Sequence, residues 1–289
     1  MKAKYVNPFT DFGFKKLFGE EASKPLLMDF LNSLLPQCQI VELSFKDKEN
    51  LGRSEDDRRA VYDIYCETQS GEKIIVELQK AKQNFFKDRT LFYSTFPIQE
   101  QAEKGVWNYE LKSVFCIGVL DFTFEDRAKP AGTGEVVHTV QLKDQNHQVF
   151  YDKLRFVYLE MPHFHKTEAE LETRLDKWLY FIKHLEDFQA IPAIFRDQIF
   201  IHAFEVAEIA KYTAEELEVY QENLKVYRDL HSVITTAFDE GKVEGKAEGK
   251  LEGKLEGKIE VARLMSANGM DRETIKRMTG LTDEELSSL

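Results

Sequence analysis

Two short runs, VYDIYCET (61–68) and EKIIVELQK (72–80), constrain this chain most, because together they read as a β-hairpin with acids set inside it. Both are rich in β-branched and aromatic residues and are separated by turn-forming residues. Strand side chains alternate between faces, so Glu77 and Gln79 share one face. The loop length decides where Asp63 goes. A two-residue turn at Ser70 and Gly71 sets Asp63 across from Leu78, with the acids on opposite faces. A three-residue loop of Gln69, Ser70 and Gly71 sets Asp63 across from Glu77. That loop needs positive φ at its last position, which Gly71 supplies. In this register Ile64, Cys66, Ile74, Val76 and Leu78 form one apolar face. The pattern thus predicts a core-facing side and a side where Asp63, Glu77 and Gln79 converge.

Directly opposed Cβ atoms in a sheet lie about 4.5–5.5 Å apart. Two carboxylates that close repel, which disfavours ionising both. A hard cation with oxygen ligands removes the conflict, and Mg²⁺, with Mn²⁺ as its alternative, suits one or two carboxylates plus a substrate phosphate. Such an ion activates water and stabilises a leaving oxygen, which is the chemistry of phosphodiester cleavage. The spacing alone equally fits an exposed sheet face of ordinary polar residues.

The remaining elements follow from caps and periodicity. Ser23, with Pro25 in the first turn, opens a helix carrying Leu26, Leu27, Phe30, Leu31 and Leu34, and Pro36 closes it. An extended run (40–46) and a charged, irregular stretch (47–59) lead to the hairpin. A helix is expected from about Asn84 to Lys104, interrupted or kinked at Pro97 and stopped by Gly105. SVFCIGVLDF (113–122) reads as a buried strand, with further strands at 136–142 and 154–161. Capping boxes at Thr167/Glu170 and Thr213/Glu216 open two more helices, the second reaching about Phe238. The expected order is helix, strand, strand, strand, helix, strand.

The net charge of −12 argues against a protein that coats nucleic acid. It leaves room for a local basic site. Residues 80–89 carry Lys80, Lys82, Lys87 and Arg89 against Asp88 alone, directly after the acids. Three scattered cysteines make neither a disulfide framework nor a metal cluster, and the first residues lack the apolar core of a secretory signal. A cytoplasmic chain with no membrane span is the expectation.

The pattern Asp63…Glu77-x-Gln79, after a helix and a strand, resembles the PD-(D/E)xK nuclease superfamily, whose restriction-endonuclease-like core has the same αβββαβ order. TDFGFKKLFG (10–19), FLNSLL (30–35), VELQK (76–80), DRTLFYS (88–94), the GK-x-E repeats and MTGLTDEEL (278–286) are similar to the Rpn family of recombination-promoting nucleases and transposases. The resemblance implies a mixed-sheet α/β fold and a metal-dependent DNA endonuclease. It implies Asp63 and Glu77 as metal ligands. It sets Gln79 where the superfamily usually has lysine. Glutamine carries no charge, but it can orient the attacking water. The missing charge would then come from Lys80, Lys82 or Lys15. Asp11 is either a helix cap or a further acid at the site. Lys80, Lys82, Lys87, Arg89 and Tyr93 are candidate DNA contacts, Arg89 and Tyr93 being one helical turn apart. The glutamine also admits a catalytically inactive module that binds DNA or a partner with the same fold.

Residues 240–260 repeat with a strict period of four, placing Glu, Gly, Lys and an apolar residue in four stripes. Glycine and like charges at i,i+4 both disfavour an isolated helix. The segment is therefore either a flexible linker or a helix that orders on homo-oligomerisation. The expected division is a nuclease-like domain at 1–162, helices packed on or beside it at 163–238, the repeat at 239–260, and a small helical tail at 261–289. The tail resembles a helix-turn-helix unit, and its acidic second segment favours protein contact over base reading.

Overall fold

The computed structural model describes residues 3–46, 49–50, 60–124 and 134–287. Two helices, α1 (Asp11–Phe18) and α2 (Lys24–Leu34), precede the sheet. Strand β1 (Leu43–Phe45) is shorter than the extended run expected at 40–46. A separate small ladder joins β2 (Glu49–Asn50) to β3 (Ala60–Val61). The rest of the charged stretch 47–59 lies outside the described residues. The hairpin follows as β4 (Ile64–Thr68) and β5 (Lys73–Gln79), then α3 (Phe86–Gln99), β6 (Val114–Leu120), β7 (Val137–Lys143) and β8 (Val149–Glu160). The sheet order is β1-β4-β5-β6-β8-β7. Strands β5, β6 and β8 run parallel, and the outer pairs are antiparallel. This mixed sheet, with α2, β1, β4, β5, α3 and β6 in sequence, is the αβββαβ core.

The hairpin adopts the three-residue loop. Ile64 pairs with Val76 and Glu67 with Lys73. Gly71 has φ +85°, and its N–H donates to the Thr68 carbonyl at 3.0 Å. All five apolar positions of the expected core face, from Ile64 to Leu78, are buried in one large cluster with Phe18, Phe30 and Trp178. Helices α1, α2, α4 (Arg174–His184) and α5 (Gln198–Ala207) contribute to that cluster. Trp178 is buried against Phe18, Phe30 and Phe200, and its indole N–H donates to Asp29 Oδ1 at 2.7 Å. Strand β6 is buried along its whole length, as a central strand covered on both faces must be.

Helix α3 covers the opposite face, where Tyr93 and Phe96 pack on Tyr62, Tyr65, Ile75 and Cys116. It is shorter than the expected 84–104, and it runs through Pro97 to Gln99. Proline has no N–H for the carbonyl four residues back, that of Tyr93. The Tyr62 hydroxyl donates to that carbonyl at 3.1 Å, so the helix continues without an unsatisfied group.

Several caps differ from expectation. Thr10, not Asp11, caps α1, accepting from the Gly13 N–H. Ser23 closes a 3-10 turn with Glu20 and makes no side-chain cap on α2. The Thr167/Glu170 box opens only a 3-10 turn, and α4 starts later, capped by Thr173. The Thr213/Glu216 box opens α6 (Ala214–Ala267), which does not stop near Phe238 but runs as one 54-residue helix through the repeat. The chain forms two compact units, Met1–Tyr227 and Arg228–Leu289. In the second, α7 (Arg272–Thr279) and α8 (Asp283–Ser287) bury Ile275, Leu281 and Leu286 against Ala262. Among the described residues no helix is long and apolar enough to cross a membrane.

Candidate active site

Asp63 stands just ahead of β4 and continues its register, across from Glu77. Two hydrogen bonds tie it to β5: its N–H donates to Glu77 Oε1 at 3.2 Å, and its Oδ2 accepts from the Leu78 N–H at 2.8 Å. Its Oδ1 lies 3.7 Å from Lys15 Nζ on α1. Glu77 faces a narrow hollow lined by Arg89, Thr90, Tyr93, Gly118 and Tyr158. Gly118 is its register partner on β6, and Tyr158 is the partner of Gly118 on β8. A Cβ on Gly118 would lie 3.0 Å from Tyr158 Cδ1, so glycine lets the Tyr158 ring pack closely at this side of the hollow. The Tyr158 and Thr90 hydroxyls meet at 2.8 Å and close its far side.

Gln79 is buried, and both ends of its amide are engaged. Nε2 donates to the Ala81 carbonyl at 2.9 Å, and Oε1 accepts from Arg89 Nη2 at 2.5 Å. Arg89 reaches in from the first turn of α3 and also donates from Nη1 to Gln83 Oε1 at 3.0 Å. Its guanidinium lies over the rings of Phe86 and Tyr93, 5.6 and 5.7 Å from their centroids. Its Nε is buried without a hydrogen-bond partner, an unmet donor beside the hollow.

The electrostatics follow from burial. Desolvation, reinforced by the charge of Asp63, pushes the Glu77 carboxyl up to about 8, against the pull of the Asp63 N–H, Arg89 and Lys15. Asp63 is also raised, chiefly by burial, while the Leu78 N–H and Lys15 hold it down. The pair is thus poised to gain from a cation.

Of the residues expected at the site, Asp63, Glu77, Gln79, Lys15 and Arg89 meet, and Tyr93 lines the hollow. Lys80 pairs with Asp11 at 2.9 Å. Asp11 is thereby a helix residue whose charge bears on Asp63, not a cap. Lys82 and Lys87 line a separate surface depression with Phe122 and Phe124. Lys87 Nζ lies 4.9 Å over the Phe124 ring. Sequence reasoning missed Gly118, Thr90 and Tyr158. Gly118 had a signal, since a glycine inside an apolar strand marks a close approach.

Residues 8–237 match the family model described as PD-(D/E)XK nuclease family transposase. The chain belongs to the PD-(D/E)XK nuclease family transposases. Residues 255–289 of this PD-(D/E)XK chain match the C-terminal HTH domain of the Rpn/YhgA-like nuclease family, so the expected Rpn kinship holds as well. No curated protein and no solved structure matched in the further comparisons. PD-(D/E)XK nucleases usually use divalent metals. Among the described residues no group of three or more His, Cys, Asp or Glu side chains is placed to hold a metal ion. The donor set here fits an open site: two hard carboxylates side by side, one of them costly to ionise alone.

Proposed function

We propose that this chain is a divalent-metal-dependent DNA endonuclease of the cytoplasm, serving recombination or mobile elements. The observation that carries the reading is the register that sets Asp63 across from Glu77, with Arg89 joined to Gln79 beside them. Asp63 and Glu77 would hold Mg²⁺ or Mn²⁺, leaving the other positions to water and phosphate oxygens. When bound, such an ion polarises the phosphoryl oxygen and activates water.

The chain's own residues supply the rest. The Asp63 N–H and Leu78 N–H hold the two carboxylates in a fixed mutual orientation. Gln79 anchors Arg89, and the second lone pair of its Oε1 can accept from the attacking water. Arg89 supplies the positive charge that lysine brings to the usual motif. Its fork is already oriented by Gln79 and Gln83. Lys82 and Lys87 carry the bound strand toward the hollow. The tail, with Asp283, Glu284 and Glu285 on α8, contacts protein rather than bases.

The engagement of both ends of the Gln79 amide favours a second reading, a module that binds DNA without cutting it. Plasmid cleavage separates the two. The wild type should nick supercoiled plasmid with Mg²⁺ and not with chelator, and Asp63→Ala should be inactive while keeping its circular dichroism spectrum. Equal cutting by Asp63→Ala would show that the site is misplaced, and wild-type binding without cutting would favour the second reading.

A further inference from the structure

The repeat in α6 has a chemistry the candidate active site does not use. From 240 to 260 every Glu stands two or six residues from a Lys, never three or four. Only positions three or four apart face each other on a helix. Glu and Lys therefore cannot pair along their own helix, while each does meet its own kind at i,i+4. The apolar stripe is open: Val243 and Leu251 are each 70% exposed and Leu255 39% exposed. The stripe ends at Ile259, which packs into the small tail core.

The order of residues around the helix decides which partner fits. Each apolar residue follows a Lys and precedes a Glu. Successive residues advance about 100° in one sense. Glu248 and Glu252 therefore flank Leu251 on one side, and Lys250 and Lys254 on the other. Two such helices facing each other in parallel set the glutamate flank of each against the lysine flank of its partner, on both sides of the seam. Turned antiparallel, they set glutamate against glutamate and lysine against lysine. The period of four matches the i±4 ridges, whose interdigitation gives a crossing near −50°. Ala247 keeps that crossing close.

We propose that the repeat helix binds a second copy of this chain in parallel, through the stripe of Val243, Ala247, Leu251 and Leu255. The pairing gives the repeat charges nearest the crossing, Glu248, Lys250, Glu252 and Lys254, the opposite partners that their own helix denies them.

Sedimentation equilibrium of the full chain tests this without reference to cleavage. The wild type should dimerise, and its dissociation constant should rise at least about tenfold between low and high salt, because screened pairs are attractive ones. Leu251→Gln with Leu255→Gln should be monomeric with unchanged helix content. Lys246→Gln, Lys250→Gln and Lys254→Gln together should weaken the dimer and flatten its salt dependence. A monomeric wild type, or a dimer that survives the leucine substitutions, overturns the proposal. A dimer unchanged or tightened by salt overturns the parallel arrangement.

Discussion

Glu77→Gln removes a carboxyl that the fold holds far from its ordinary range. In the unfolded chain this group has a value of 4.5, and in the fold burial and the charge of Asp63 raise it to about 8. The folded state therefore keeps a proton that the unfolded state releases between these values. Metal-free stability should then fall as pH rises through that window, because the fold binds the extra proton. Each pH unit is worth about 1.36 kcal/mol, so the full interval sets an upper bound of about 5 kcal/mol. Glutamine keeps the shape and can still accept from the Asp63 N–H, but it has nothing to ionise. Urea unfolding with chelator should show the two proteins alike within about 1 kcal/mol near pH 4.5. By pH 8.5 Glu77→Gln should be the more stable by several kcal/mol. Adding Mg²⁺ at pH 8.5 should narrow the gap by stabilising the wild type more than the variant, which keeps only the Asp63 carboxylate as a ligand. A wild type whose metal-free stability is flat from pH 5 to 8.5, or a variant less stable at the high end, would refute the reasoning.

Other outcomes are open to direct measurement. Arg89→Ala should lower plasmid cleavage by about 10²–10³-fold, as loss of a preorganised donor does elsewhere, with Arg89→Lys restoring only part because lysine lacks the fork; equal rates would remove Arg89 from the site. Gly118→Ala should reduce cleavage and cost about 1–3 kcal/mol, since its new methyl meets the Tyr158 ring in a filled region. Gly71→Ala should destabilise by about 1–2 kcal/mol, because φ there is +85°. Tyr62→Phe should cost about 1 kcal/mol, and less in a Pro97→Ala background, where the restored N–H can satisfy the Tyr93 carbonyl. Additive effects in that cycle would sever the link between the tyrosine and the proline.

The hairpin was legible because strand parity and loop length are both written in the local sequence. Once Gly71 closes a three-residue loop, Asp63 has one partner and the apolar face follows. Arg89 was legible only as a basic residue near the acids. Its contact with Gln79, ten residues back, depends on how α3 docks on the sheet. Tyr158 comes from a strand added much later in the chain, and no local pattern joins it to Glu77. The α1 cap stayed open in the sequence because Thr10 and Asp11 are both good capping residues, and only backbone geometry separates them. The repeat was ambiguous because its glycines and like-charge neighbours argue against helix, while its apolar stripe and the capped helix start ahead of it argue for one.

The most direct test of the central claim is a calorimetric titration of Mn²⁺ at pH 7, repeated in buffers of different ionisation enthalpy. Glu77, raised to about 8, is mostly protonated at that pH, so a metal that takes its carboxylate must displace the proton. One ion should bind the wild type with release of about one proton, Glu77→Gln should release almost none, and Asp63→Ala should bind at least tenfold more weakly. Binding that leaves the proton count and affinity unchanged in both variants would place the metal elsewhere and contradict the account.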